Sequence, residues 1–261
     1  AEIWKQSREV LEEVMTKNDL DASDIDSLGI TTQRASFLIF NKETGETYTN
    51  IITWQDKRAA EYAEKMSNKF ALKLVRGVTK FISLFSSNPM FITASQLRFN
   101  ADYASARTGY VLNNNPELRG IVKDPTTAWG TIDTWIIYNL TKGKIHATDF
   151  TNASATGLLD PFKLDWNDIV YKMFDIPTHI LPELKTTRGD FGSTSLFGSG
   201  KIPIRSVMAD QQASLFALFG GNPQVGDVKV TNGTGSFVDI FTGEEPQASK
   251  RKLYPLIAWA T

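Results

Sequence analysis

Apolar and polar positions along the chain change period repeatedly, from the spacing of an amphipathic helix to that of a short strand and back. Helical spacing covers 4–15, 59–74, 93–103, 131–140 and 167–174. Runs of β-branched and apolar residues predict strands at 28–34, 36–40, 48–53, 202–208 and within 227–243. The stretch 77–88 has no decisive pattern. Alternating strands and helices favour a layered α/β fold, and predicted hairpins at 36–53 and 227–243 make part of the sheet antiparallel.

The stretch 202–216 is the one around which the other elements are arranged. It predicts a buried strand that delivers a carboxylate, Asp210, to the start of a helix ending at Gly220-Gly221. At the carboxyl end of a strand in an open α/β sheet, an acid faces the side where ligands bind. The alternative is that Asp210 only caps the helix. The local sequence leaves both open.

Polar side chains follow two other predicted strands. Gln33 and Arg34 end the strand at 28–34, and Trp54 ends the strand at 48–53, followed by Gln55 and Asp56. We expect these strand ends to converge near Asp210. The Trp54 ring there is suited to wall a small polar ligand, with simple packing as the alternative.

A Gly-Thr-Gly turn joins the two strands of the last predicted hairpin. Gly233 and Thr234 in such a turn can bring backbone N–H groups close to a phosphate, although Asn-Gly tips also occur in ordinary hairpins. The chain has neither a Walker A loop nor a G-x-G-x-x-G motif. Neither a P-loop nucleoside triphosphatase nor a Rossmann dehydrogenase is therefore supported.

Composition narrows the function classes further. The 261 residues are 41% hydrophobic, enough for a large core, and the net charge of −1 gives no sign of a nucleic acid or an anionic membrane as partner. The absence of cysteine excludes disulfides and thiolate chemistry and is compatible with a cytoplasmic location. No apolar run approaches the roughly 18 residues of a membrane span. His146 and His179 have no companions at ligand spacing, and Asp165 with Asp168 indicates a helix start, so no metal site is predicted.

The two ends of the sequence predict missing neighbours. A helical pattern begins almost at the first residue, and 253–261 is an apolar, strand-like run that needs a pairing partner. We therefore expect a fragment of a longer protein. The cluster 220–223, Gly-Gly-Asn-Pro, is the candidate domain boundary.

Six motifs, in order along the chain, resemble those of the FGGY family of carbohydrate kinases. They lie at 29–34, 54–58, 130–135, 148–154, 209–212 and 232–235. Gln33-Arg34 and Trp54-Gln55-Asp56 resemble the glycerol kinase branch, and 131–156 with 227–259 resemble its glycerol kinase 5 subgroup.

The resemblance implies an α/β fold of the ribonuclease-H-like, actin and Hsp70 ATPase type, a mixed sheet flanked by helices, here without its first hairpin. It implies that 1–222 is the N-terminal substrate domain, truncated at its start, and that 223–261 is the first hairpin of the nucleotide domain. The implied activity is phosphorylation of glycerol or a similar small polyol with ATP and Mg²⁺ by the intact protein, and we expect this piece alone to be inactive. A homo-oligomer is left open.

The resemblance also assigns roles to residues. Asp210 matches the general base, Gln33, Arg34, Trp54, Asp210 and Gln211 match substrate contacts, and Gly233 and Thr234 match part of the ATP phosphate site. Ala35 departs from the pattern, because glycerol kinases generally carry a substrate-binding Glu there. Two alternatives follow from this departure: a family member acting on another sugar or polyol, and a catalytically silent homologue that binds partners.

Overall fold

The computed structural model describes residues 2–233, 236–249 and 253–261. Within these ranges the α-helices are α1 Glu2–Lys17, α2 Ala60–Ser67, α3 Phe70–Ile82, α4 Pro89–Ser95, α5 Ala104–Asn114, α6 Pro116–Ile121, α7 Ile132–Leu140, α8 Phe150–Ser154, α9 Asp168–Met173 and α10 Asp210–Leu218. The strands are β1 Leu28–Thr32, β2 Phe37–Asn41, β3 Thr127–Thr131, β4 Ala147–Asp149, β5 Leu159–Asp160, β6 Asp165–Trp166, β7 Glu183–Lys185, β8 Ser193–Thr194, β9 Ile202–Ala209, β10 Val228–Asn232 and β11 Ser236–Ile240.

Strand pairing is mixed, as the alternating pattern predicts. Strand β9 lies between β1, which is parallel to it, and β8, which is antiparallel. The pairs β2–β3, β5–β6 and β10–β11 are antiparallel, whereas β4–β7 is parallel. The central β1–β9 pair sets the position of every residue that follows either strand.

Three apolar clusters surround the β-strands within the described residues. One contains Phe37 and Trp129, which stack with ring centroids 5.4 Å apart, and a second contains Ile204 and Val207 of β9. The third contains Phe40 and Trp135, whose ring centroids are 5.0 Å apart. Fully burying a side chain of this size contributes about 1.5–3 kcal/mol, so β2, β3 and β9 anchor the fold. Trp129 and Trp135 are both buried, in agreement with their predicted core role.

Several predicted elements differ in the structure. The helix predicted at 59–74 breaks after Ser67, and a second helix, α3, continues to Ile82. The helix predicted at 93–103 is wrong, because α4 ends at Ser95 and α5 begins at Ala104. Asn167, not Asp165, caps α9.

The hairpin predicted at 36–53 forms only in part. Strand β2 pairs along its length with the distant β3, in the register Phe37–Thr131, while residues 47–52 return antiparallel to β2 through the isolated bridges Phe37–Ile52 and Phe40–Thr47. The Tyr48 N–H also donates to the Ile39 carbonyl at 2.8 Å, so this segment lies beside β2 without forming a continuous strand. The apolar run 253–261 forms no strand in this structure. The long-range neighbour β3, which the local pattern does not contain, gives β2 its continuous pairing.

Candidate active site

The carboxyl ends of β1 and β9 bring the predicted site residues together. The two strands are parallel, and their last paired residues are Thr32 and Ala209. Gln33 and Arg34 therefore leave the sheet at the same edge as Asp210. This is the edge at which open α/β sheets bind their ligands.

Arg34 and Asp210 form an ion pair at this edge. Arg34 Nε lies 3.8 Å from Asp210 Oδ1, with the arginine side chain 13% exposed and the aspartate side chain 46% exposed. The distance is too long for a hydrogen bond, so the attraction is Coulombic. The carboxylate thus stays accessible to a ligand while a cation lies beside it.

Asp210 does not cap α10, so that alternative is wrong. Ala209 occupies the N-cap position, and Asp210 is the first helical residue. Asp210 Oδ1 instead accepts a hydrogen bond of 2.8 Å from the backbone N–H of Gln211. This bond holds the Asp210 side chain at the start of the helix.

A buried polar network fixes the backbone just before Asp210. The Ala209 N–H donates to Thr151 Oγ1 at 2.7 Å, and this hydroxyl donates to Asp149 Oδ1 at 3.0 Å. Thr187 Oγ1 donates to the other oxygen of Asp149 at 3.0 Å. Burial raises the pKa of the Asp149 carboxyl, against the opposing effect of these hydrogen bonds and those from Asn152. The segment 148–154, irregular by sequence, is therefore a support for the end of β9.

Ser36 links Gln33 to Trp54. Its buried hydroxyl oxygen accepts one hydrogen bond from Gln33 Nε2 and one from the Trp54 backbone N–H, both 3.0 Å long. The Trp54 side chain packs partly against the core, as the packing alternative expects, and its role beside a ligand stays a prediction. Asp56 pairs with Arg58, and this hydrogen bond lowers the pKa of the Asp56 carboxyl.

Arg107 of α5 holds the two loops that carry Arg34 and Trp54. Its Nη1 donates to the carbonyls of Ile52 (3.3 Å) and Thr53 (2.6 Å), and its Nη2 to those of Ala35 (2.7 Å) and Asp102 (2.9 Å). The guanidinium is fully buried, and burial lowers its pKa to about 10. Sequence reasoning missed the role of Arg107. The available signal was a charged residue among the small and apolar residues of α5.

Ala35 lies directly beside the ion pair in an unusual conformation. Its φ of 59° is in the left-handed region, which a residue other than glycine adopts at an energetic cost, and it is buried. The bond from Arg107 to its carbonyl stabilises this turn. The position where a substrate-binding carboxylate was expected therefore carries only a methyl group.

Gln211 points toward the hairpin instead of toward Arg34. Its Oε1 accepts from Lys229 Nζ at 2.8 Å and from Thr231 Oγ1 at 3.1 Å. The buried Lys229 also pairs with Asp239 of β11 at 3.2 Å. The predicted substrate contact of Gln211 thus has protein partners in this conformation.

The hairpin adds an aromatic residue that sequence reasoning missed. Phe237 of β11 lies beneath the guanidinium of Arg34, with Arg34 Cζ 5.8 Å from the ring centroid. Its place two residues after the Gly-Thr-Gly turn was the signal available in the sequence. Gly233 follows β10 directly, and Thr234 lies outside the described residues.

The histidines and acids do not assemble a metal centre within the described residues. No group of three or more His, Cys, Asp or Glu side chains there could hold an ion. His146 bonds the Trp129 carbonyl at 2.9 Å, and burial lowers its pKa to about 4. This histidine is part of the core.

The sequence matches a known family over most of its length. The FGGY family of carbohydrate kinases, N-terminal domain, matches residues 1–217. Glycerol kinase 5 of Danio rerio is 42% identical over 262 residues, covering 99% of this chain and 49% of that protein. Glycerol kinase of Mycoplasma mycoides is 38% identical over 264 residues, 99% of this chain and 48% of that protein. The chain spans about half the length of these relatives.

Solved structures show the same fold. The crystal structure of Plasmodium falciparum glycerol kinase with ADP superposes with a TM-score of 0.74 at 32% identity, covering 90% of this chain and 44% of that one. Xylulose kinase from Rhodospirillum rubrum, at 18% identity, has a TM-score of 0.70 over 96% of this chain and 47% of its own, a likeness of fold alone. The predicted α/β fold of the ribonuclease-H-like, actin and Hsp70 type is confirmed, as is the resemblance to the glycerol kinase branch.

Proposed function

Because the chain belongs to the FGGY family of carbohydrate kinases, we propose that the whole protein transfers a phosphoryl group from ATP to a hydroxyl of glycerol or a similar small polyol. The observation that carries this proposal is the Arg34–Asp210 pair at the adjoining ends of two parallel strands. An accessible carboxylate beside a cation can both orient a hydroxyl and accept its proton. The relatives named glycerol kinase support the substrate class.

Asp210 is the general base in this proposal. Phosphoryl transfer passes through a loose transition state, so positioning and charge neutralisation matter more than base strength. The bonds to Asp210 Oδ1 and to the Ala209 N–H supply that positioning. The polyol is bordered by Gln33, Arg34 and Trp54. Gln211 joins them when its side-chain Oε1 is released from Lys229.

The nucleotide enters from the hairpin side. The β10–β11 pair forms a sheet of its own within the described residues, and Gly220 and Gly221 before it both adopt positive φ, at 58° and 74°. These features support the proposed division into a substrate domain at 1–222 and the first hairpin of a nucleotide domain at 223–261. Gly233 and Thr234 border the ATP phosphates in this proposal.

Mg²⁺ typically binds through substrate phosphates with few protein ligands, so in this proposal it enters with ATP. A cytoplasmic location of the protein stays a prediction.

A kinetic comparison of two variants tests the proposal. In the full-length protein with Mg²⁺ and ATP, Asp210→Asn should lower kcat for glycerol phosphorylation by about 10²–10⁴-fold, the usual contribution of a general base. Asp26→Asn, at an exposed position outside the site, is the matched control and should leave kcat unchanged. Unchanged turnover in Asp210→Asn, or no product from any polyol, would contradict the proposal, and the second result would favour the silent binding homologue.

A second candidate is a kinase for another sugar or polyol of the same family. The observation that favours it is Ala35, a buried residue without any hydrogen-bonding side chain beside Arg34. A missing partner in a site built for hydroxyls can change discrimination by orders of magnitude. Competition among glycerol, ketoses and aldonates in the same assay separates the two candidates by their kcat/KM.

A further inference from the structure

Helix α3 exposes an apolar face to solvent. Its inner side packs through the buried Leu72, while Phe70 (81% exposed), Leu74, Val78 and Phe81 (64% exposed) lie on the outer side at spacings of three and four. Phe85, 79% exposed, follows the helix, and its ring contacts Phe81 with centroids 5.4 Å apart. Such a contiguous apolar patch on a helix marks an interaction surface.

The segment of the chain that contains this face carries charged residues of a single sign. From Lys65 through Ala101 the sequence contains no Asp or Glu and six basic residues, Lys65, Lys69, Lys73, Arg76, Lys80 and Arg98. Lys69, Lys73 and Lys80 are exposed along one margin of the apolar face. Arg76 turns inward and donates to the Ser67 carbonyl at 2.8 Å, which leaves the lysines as the outer charges. The overall charge of −1 conceals this local concentration.

We propose that the α3 surface, formed by Phe70, Leu74, Val78, Phe81 and Phe85 with Lys69, Lys73 and Lys80, binds an anionic lipid bilayer. A helix with aromatic and aliphatic residues on one side and lysines beside them lies in the plane of the interface, its apolar side among the acyl chains and its ammonium groups at the lipid phosphates.

Two observations favour a lipid surface over other occupants. A second copy of this chain would bring two rows of lysines together without any acid in 65–101 to compensate them. The 13 residues of α3 are too few for a span, which needs about 20, but enough for an interfacial helix. Within the part of the chain that the structure describes, no helix is long and apolar enough to cross a bilayer.

Vesicle flotation with the full-length protein tests the proposal. The probes are vesicles of phosphatidylcholine with or without phosphatidylserine. Binding is expected only with phosphatidylserine and should weaken as salt rises. Lys73→Glu with Lys80→Glu should weaken binding about tenfold or more, since each basic residue near an anionic surface contributes about fivefold. Phe81→Ser with Phe85→Ser should also release the protein.

The matched control is Lys123→Glu with Lys201→Glu, which changes the net charge equally at exposed positions on other parts of the chain. It should bind like the unmodified protein. No binding to the anionic vesicles, equal binding to both vesicle types, or equal weakening by the control would each overturn the proposal. Self-association that disappears in the Phe81→Ser, Phe85→Ser variant without vesicle binding would instead assign the surface to a second copy.

Discussion

The effect of replacing Arg107 on stability can be worked out from its four hydrogen bonds. Lysine at this position keeps the charge, but its single ammonium group cannot reach the carbonyls of Ala35, Ile52, Thr53 and Asp102 together. At least two of the four carbonyls then lose their donor. A hydrogen bond to a charged group contributes about 1.5–3 kcal/mol, so Arg107→Lys should lower the free energy of unfolding by about 3 kcal/mol or more. Against a total of about 5–15 kcal/mol, this is a large fraction.

The assay is denaturant unfolding of the full-length protein followed by tryptophan fluorescence, with hydrogen exchange to locate the change. Arg107→Lys should shift the midpoint to lower denaturant and accelerate exchange at 35–37 and 52–54, whose loops the guanidinium joins. Arg98→Lys, at an exposed position, is the matched control, with an expected change within about 0.5 kcal/mol. If both variants unfold at the same midpoint as the unmodified protein, the carbonyl bonds do not stabilise these loops and the reasoning is refuted.

Two further predictions concern buried groups near the site. Thr151→Val leaves the buried Ala209 N–H without its acceptor and removes one of the three hydrogen bonds to Asp149 Oδ1, so it should cost about 2–4 kcal/mol. Thr151→Ser keeps the hydroxyl and should cost about 1 kcal/mol; equal unfolding midpoints for the two variants would contradict this. Burial raises the pKa of the Asp133 carboxyl in the folded protein to about 7, whereas its pKa in the unfolded chain is near 3.9. The free energy of unfolding therefore falls as the pH rises from about 3.9 to about 7. Asp133→Asn, always neutral, should therefore gain about 2–3 kcal/mol relative to the unmodified protein between pH 5 and pH 8, a relative rise in Tm of roughly 4–12 °C; an equal Tm difference at both values would contradict the raised pKa.

Part of the site could be predicted because it depends on local signals. An apolar run followed by Asp210, and another followed by Gln33 and Arg34, predicts polar residues at strand ends whatever the rest of the chain does. The β1–β9 register that brings Arg34 within 3.8 Å of Asp210 joins residues far apart in sequence. The pattern therefore identified the residues, and only the structure gave their distance.

The residues that were missed or misplaced depend on contacts between distant segments. The donors of Arg107 are aimed at carbonyls from three other segments, so its function is not visible in its own helix. Gln211 follows the candidate base in sequence, yet the buried Lys229 turns its side chain toward the hairpin. The strand β3 was missed because Ala128 and Gly130 interrupt its β-forming residues, and because its stability comes from burial and from pairing with the distant β2.

The contact between Lys229 and Gln211 has a mechanical consequence. It joins the first turn of α10 to the hairpin through a buried ammonium group whose other partner is Asp239. If the hairpin rotates against α10, it either moves Gln211 with it or separates Lys229 from Gln211. Separation would leave the buried ammonium group with fewer hydrogen-bond acceptors, which costs several kcal/mol. The hairpin and α10 are therefore joined at Gln211, through its side-chain oxygen and through its backbone carbonyl, and a movement of one is transmitted to the other.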